Sequence, residues 1–325
     1  MTKRRLVARM ELTERKLDRR FRLFSTADAA TSALISAIGR EFAHGYNDTL
    51  RSYDPSLVRA HVEAQDDDHL TPFYVEGASM ALAAGRVLHP GRSPSAHRRL
   101  LAELPEHDYL ILVGWGWWYA VRPAGATGLA RSRVWSADDL FSSLAIDGMA
   151  FATCFLKTRP PHYDVTCPFR DEPRRRVWLQ GYGRALWFVA GGRPEVFRRQ
   201  YERLEPELRP ELYAGIGLAT AFAGLRDMTS LPTLPANAPS DGEAERRAFY
   251  QGLAFGLTAR RKASPRSYQR FLDRVDTPTA RWVTEVTDRC ADPPRPGGTD
   301  AARAVATYTA WERELRHDVA IELFA

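Results

Sequence analysis

Cysteine is scarce in this sequence. Three residues, Cys154, Cys167 and Cys290, are spread over 325 positions. An odd, sparse set excludes a disulfide framework and suits a reducing compartment. No C-x-x-C or H-E-x-x-H spacing occurs, and the eight histidines follow no metal-ligand pattern. A structural zinc site is therefore not expected. No G-x-S-x-G turn marks a nucleophile of the α/β-hydrolase kind. Long hydrophobic runs are missing too. The longest, Tyr109–Val121, falls well short of the roughly 20 residues that a spanning helix needs. The charged start is not followed by an apolar segment of the kind found in signal peptides. These absences lead us to expect a soluble, cytoplasmic protein with no membrane span.

Charge of one sign is also in short supply. The 46 basic and 40 acidic residues leave a net charge of +6. Much of the excess lies in Lys3-Arg4-Arg5 and in the stretch Glu14–Arg20. Residues 1–27 read as a basic, solvated N-terminal arm. Nucleic-acid binding needs stacking or base-reading groups beside the charge, and the arm offers only Phe21 and Phe24, so no nucleic-acid partner is expected.

What is present is a helical pattern with many small residues. Asp28–Tyr53 carries Leu34, Ile35, Ile38 and Phe42 at helical spacing. Phe73-Tyr-Val-Glu-Gly-Ala-Ser-Met-Ala-Leu82 reads as a helix, with Thr71 as its cap and Pro72 in its first turn. Ser136-Ala-Asp-Asp139 resembles a capping box and opens a further helix. The Trp-rich run Tyr109–Val121 reads as buried helix. Two amphipathic helices, near Ser267–Arg289 and Asp300–Leu323, close the chain.

The Phe73–Leu82 stretch has three echoes: Leu144–Phe151, Leu212–Ala219 and Phe249–Gly256. Gly45-Tyr46 likewise matches Gly181-Tyr182, 136 positions on, and Gly77 matches Gly215, 138 positions on. Gly148 pairs with Gly252 as the second small-residue helix of each half. These matches predict an all-α fold, an internally duplicated helical bundle with a pseudo-two-fold repeat. Residues 28–157 form the first half and 174–262 the second, and the C-terminal helices of 266–325 pack on the same domain. Helices lined with Gly, Ala and Ser can approach closely. The four small-residue helices would form the centre, with the arm, the Trp-rich run and the C-terminal helices outside it.

Two ionisable groups fall inside apolar helices, Glu76 and Asp147. Burying a carboxylate costs several kcal/mol unless it is paired or protonated. They are candidate catalytic acids or bases. A buried network that sets helix register, or pairing with an arginine, is the structural alternative. In the paired helix of the second half, Gln251 stands where Asp147 stands in the first, a neutral hydrogen-bonding counterpart and a candidate substrate-binding residue. Tyr46, Trp115, Trp117, Trp118, Tyr182 and Trp187 are candidate walls of a pocket for a long apolar or polyene ligand, or else ordinary core. Asp66-Asp67-Asp68 could hold Mg²⁺ against a diphosphate, or simply favour the start of the following helix.

Gly45-Tyr-Asn, Phe73–Met80, Gly114-Trp-Gly-Trp117, Asp147-Gly148, Gly181-Tyr-Gly-Arg-Ala-Leu-Trp-Phe188, Leu212–Ala219 and Tyr250–Phe255 together resemble the domain-of-unknown-function family 1702. It is an actinobacterial family whose members accompany enediyne polyketide synthase cassettes. The resemblance spans residues 35 to 265. It implies specialised metabolism and a polyene or enediyne precursor as ligand, and it passes on no catalytic residue. The expectation is a protein of natural-product biosynthesis that promotes cyclisation or isomerisation of an apolar precursor, with no cofactor. A terpene cyclase, with Mg²⁺ as its metal if the diphosphate route holds, is one alternative. A non-catalytic carrier or assembly partner of a polyketide synthase, in oligomeric form or not, is the other.

Overall fold

The structure is a computed structural model. It describes residues 3–24, 29–85, 88–89, 93–130, 140–224, 242–291, 293–294 and 301–318. The chain is all-α. Sixteen α-helices are described: α1 (Lys3–Met10), α2 (Glu14–Phe21), α3 (Ala29–Ser52), α4 (Pro55–Glu63), α5 (Thr71–Ala84), α6 (Ser93–Glu103), α7 (Asp108–Val121), α8 (Gly125–Ala130), α9 (Leu144–Lys157), α10 (Glu172–Val189), α11 (Pro194–Tyr201), α12 (Arg209–Gly224), α13 (Glu243–Ala263), α14 (Pro265–Leu272), α15 (Thr277–Cys290) and α16 (Ala301–Asp318). No strand is present among the described residues beyond one bridge between Arg159 and His162.

Helices that are apolar on every side must be surrounded. Every residue of α5 is buried, and so is every residue of α12 from Glu211 to Ala223. The neighbours that enclose them follow chain order. The packed series is α3, α5, α7, α9, α10, α12 and α13. Glycine sets how closely each pair approaches. A β-carbon on Gly45 would overlap the Tyr74 carbonyl, and one on Gly77 the Phe42 carbonyl. Backbones in such contact gain area that bulkier residues would deny them.

The same pairings recur along the chain. Gly45 on Tyr74 is repeated by Gly183 on Leu212, and Gly77 on Phe42 by Gly215 on Gln180. Gly114 on Glu76 is repeated by Gly252 on Ala214. Ser79 Oγ donates to the Ile111 carbonyl at 2.5 Å, and its later equivalent, Gly217, abuts the Phe249 carbonyl. Each member of these pairs lies 138 positions from its equivalent. In this register Gly45 matches Gly183 rather than Gly181, with no insertion between the two segments. Gly252 matches Gly114 rather than Gly148. What persists is the glycine that meets a carbonyl, not the tyrosine beside it.

These pairings join two trios, α3–α5–α7 and α10–α12–α13, and within each they run in opposite directions, so the paired helices are antiparallel. The junction between the trios differs. Gly181 meets the Asp147 carbonyl while Phe188 meets Phe151, so α9 and α10 run the same way. The chain covers the distance with the 158–171 connection.

Several local expectations change. The Trp-rich α7 is not peripheral: Gly114 admits α5 on one side and Gly116 admits α9 on the other. Leu70, not Thr71, holds the cap position of α5, and Thr71 Oγ1 is buried without a partner. The stretch expected to be one helix near Ser267–Arg289 is two, α14 and α15, because Asp276 caps a new helix whose second residue is Pro278. The Ser136–Asp139 box and Asp28 lie outside the described residues. The N-terminal arm folds as α1 and α2 and docks on α3. Asn47 fixes it by accepting from Leu12 N at 2.9 Å and donating to Leu12 O at 2.8 Å. The Phe21 ring occupies the gap left by Gly39.

Candidate functional site

A cavity of about 310 Å³ lies between α2, α3, α5, α7, α9 and α10. It falls at the small end of the usual ligand-pocket range of roughly 300–1,000 Å³. Its walls are aromatic and aliphatic. Phe42 lies 4.6 Å from Trp117 between ring centres, and Trp117 lies 5.2 Å from Phe151 and 5.6 Å from Phe155. Phe73 and Phe188 complete the inner wall. Leu12, Leu17 and Phe21 close the outer side, with Lys16 and Arg20 at the rim. Arg20 is tied to the Thr158 carbonyl at 2.9 Å and rests over the Phe24 ring.

Two charged residues reach the inner wall, Glu76 and Arg184. Glu76 comes from the middle of α5, one residue before the glycine that holds α3 close. Trp117 Nε1 donates to its Oε1 at 2.8 Å. Burial pushes the Glu76 carboxyl up to about 7; Arg184 and the indole bond oppose this, and the Asp147 charge adds to it. A group in that range can both give and take a proton near neutral pH. Arg184 Nη2 donates to Asp147 Oδ1 at 2.5 Å, and its guanidinium sits 4.3 Å from the Phe151 ring centre. Burial raises the Asp147 carboxyl, against the pull of Arg184. Burial works against the Arg184 cation, but Asp147, Tyr109 and Glu76 outweigh it and hold the guanidinium above its ordinary value.

The structure thus brings Glu76, Trp117 and, one layer behind, Asp147 together. The site lies at the junction of the two trios, because Arg184 reaches it from α10. The other expected residues lie elsewhere. Tyr46 is buried on α3, outside the cavity lining, with its hydroxyl pushed up to about 12 by burial. Trp115 packs on His97 at 4.1 Å. Trp118 is half-buried outside the lining. Tyr182 Oη lies 3.1 Å from both the Tyr163 carbonyl and Gln200 Oε1, beside a separate open pocket. Trp187 packs on Phe188, and among the described residues its buried Nε1 has no hydrogen-bond partner. Gln251 accepts from Arg316 Nε at 3.1 Å.

Asp66–Asp68 are committed to α14. Asp68 caps it, with Oδ2 accepting from Arg266 N at 2.8 Å and Oδ1 from Ser267 N at 2.9 Å. Asp67 pairs with Arg270 at 2.7 Å, and Arg266 Nη1 donates to the Asp66 carbonyl at 3.0 Å. Among the described residues no group of three or more His, Cys, Asp or Glu side chains could hold a metal ion. No described helix is long and apolar enough to cross a membrane.

Among the described residues, α16 fills the equivalent place in the second trio. The equivalents of Phe42, Phe73 and Trp117, 138 positions on, are Gln180, Glu211 and Phe255. All three are covered by α16. Tyr308 Oη donates to Gln180 Oε1 at 3.3 Å, Arg316 pairs with Glu211, and Trp311 packs edge-on against Phe255 at 4.9 Å. Arg176 adds a second cation on Glu211 at 2.7 Å.

Sequence reasoning missed Arg184, Phe42, Phe151 and the cover formed by α2. Arg184 did carry a signal, because it is a lone charge in the apolar stretch Leu179–Val189, as Glu76 is in α5.

A family model described as "Protein of unknown function (DUF1702)" matches residues 1–319. No curated protein matches the chain, and no solved structure does. The chain belongs to the DUF1702 family.

Proposed function

We propose that this DUF1702 protein takes an apolar, unsaturated small molecule into its aromatic cavity and moves a proton on it with Glu76. The reaction would be of cyclase or isomerase type, in natural-product biosynthesis. The observation that carries this reading is a carboxyl held near 7 on the wall of a cavity built mostly from Phe, Trp, Leu and Ile side chains, with Arg184 beside it. Dry aromatic walls exclude water and can stabilise positive charge that develops on a hydrocarbon. Asp147 acts through Arg184, so we assign it a positioning role. A polyene from an enediyne-type polyketide synthase is our first choice of substrate. On this reading the protein works in the cytoplasm beside that synthase.

Isoprenoid cyclisation started by protonation uses the same groups, and the rings around Trp117 favour it as the second reading. Mg²⁺–diphosphate chemistry draws no support from Asp66–Asp68, where the Asp67 and Asp68 carboxylates hold α14. A non-catalytic carrier would need the cavity but not the acid. We further take the two trios as products of an internal duplication with pseudo-two-fold symmetry. The constant offset of 138 positions supports it.

Mass spectrometry of ligand retained on the purified protein identifies the substrate. With that substrate, Glu76→Gln should stop product formation while keeping the ligand bound. Product formation at the wild-type rate in Glu76→Gln would leave the carrier reading and remove the acid–base one.

A further inference from the structure

The cavity wall holds a cation as well as an acid. Arg184 is 4% exposed and lines the cavity. Its Nη2 is used on Asp147, and one face of its guanidinium is covered by Phe151. Among the described residues its buried Nε has no hydrogen-bond partner. A guanidinium carries five N–H donors in a rigid fork. Among the described residues only one of its hydrogen bonds is accounted for, so this cation has directional capacity left over for an oxygen atom.

The charge balance says which kind of oxygen fits. Asp147 already neutralises Arg184, and Glu76 stands on the same wall. A fully charged anion would bring a second or third negative charge into a dry site, at a cost that one guanidinium does not offset. A carbonyl oxygen is neutral when it arrives and gains charge only as the reaction proceeds. Preorganised donors of this type act most strongly on such developing charge.

We propose that Arg184 binds the carbonyl oxygen of the substrate, so that the cavity takes an apolar, unsaturated carbonyl compound that enters carbonyl first. This inference rests on the proton-transfer reading of Glu76 and names its substrate class. In the step, the Glu76 carboxylate removes a proton from the carbon next to the carbonyl. The C–H pair becomes the new carbon–carbon π bond, and the carbonyl π pair moves onto oxygen, where Arg184 holds it. The Glu76 carboxyl then returns the proton to the far carbon of the conjugated system as the oxygen pair reforms the carbonyl. Each double bond between those two carbons has moved one position toward the carbonyl, no atom is gained or lost, and nothing is oxidised or reduced.

The test uses the full chain and four probes matched in chain length: a conjugated tetraene methyl ketone, the carboxylic acid, the alcohol and the hydrocarbon. Binding is read from polyene fluorescence. Wild-type protein should bind the ketone at least about tenfold more tightly than the alcohol or hydrocarbon, as expected for a hydrogen bond to a charged donor. Arg184→Met should remove that advantage and leave hydrocarbon affinity unchanged. If Arg184→Met does not fold by circular dichroism, Arg184→Met/Asp147→Leu removes both charges and serves in its place. A ketone that binds no better than the hydrocarbon to wild type overturns the inference, and so does an advantage that survives in a folded Arg184 variant. Tighter binding of the acid than of the ketone overturns it in favour of a carboxylate ligand. Failure of all four probes to bind removes the cavity reading, and this inference with it. Exchange of the ketone α-protons with deuterated water, followed by NMR, separates the two claims. It should be present in wild type and absent from Glu76→Gln, which should keep the ketone preference. A preference without exchange in wild type leaves the Arg184 site standing and defeats the role of Glu76.

Discussion

Replacing Glu76 with glutamine should turn a pH-dependent contribution to stability into a flat one. Glutamine keeps the shape of the side chain and can still accept the Trp117 indole bond. The carboxyl titrates at about 7 in the folded protein, against 4.5 for an ordinary glutamate. A carboxyl with a raised value favours the folded state fully at pH below its unfolded value. That advantage fades as pH rises and is gone once pH passes the folded value. At about 1.4 kcal/mol per pH unit of separation, the loss is on the order of 3 kcal/mol. Urea unfolding of both proteins from about pH 4.5 to about pH 8 gives the difference between them, in which most other titrating groups cancel. The difference should move toward the variant by about that amount, with most of the change between pH 4.5 and 7. A difference that stays constant across the window refutes the buried-acid assignment. The groups that bear on it are Arg184, Asp147 and Trp117, so Asp147→Asn should also alter the window, through Arg184.

Two further outcomes test the architecture. Gly77→Ala and Gly215→Ala each drive a methyl into the carbonyl of the neighbouring helix and should each cost about 1–3 kcal/mol or more; thermal unfolding of both should give similar losses, and a tolerated change at either site would break their equivalence. Arg316→Met leaves the buried Glu211 with Arg176 alone and should destabilise by about 3 kcal/mol, and adding Glu211→Met should recover part of that in urea unfolding.

The helices were legible because their composition admits little else. A segment such as Thr71–Ala84, with no charge but Glu76, has to be enclosed. Glu76 and Asp147 were legible for the same reason. Direction was not legible. Trp115, Trp117 and Trp118 lie within four positions, and only Trp117 turns to the cavity, since successive residues on a helix point about 100° apart. A dense aromatic stretch therefore names several walls at once. The cover formed by α2 was hidden by its charge, because Lys16 and Arg20 masked the stripe of Leu12, Leu17 and Phe21. The expected pairing of Gly45-Tyr46 with Gly181-Tyr182 followed a shared dipeptide, two positions away from the pairing of the contacts. The contacts match Gly45 with Gly183, and so set Tyr46 against Arg184, the residue that distinguishes the site.

The placement of α16 bears on the stoichiometry of the proposed ligand. Its Tyr308, Trp311 and Arg316 fill the second trio at the place where the first trio is open. That occupant is part of the same chain, so it competes for the place at a high effective concentration. On the proposed reading, the bundle takes one ligand in its first trio, and α16 takes the matching place in the second. A titration of the pure protein with its ligand should therefore end at a molar ratio of one.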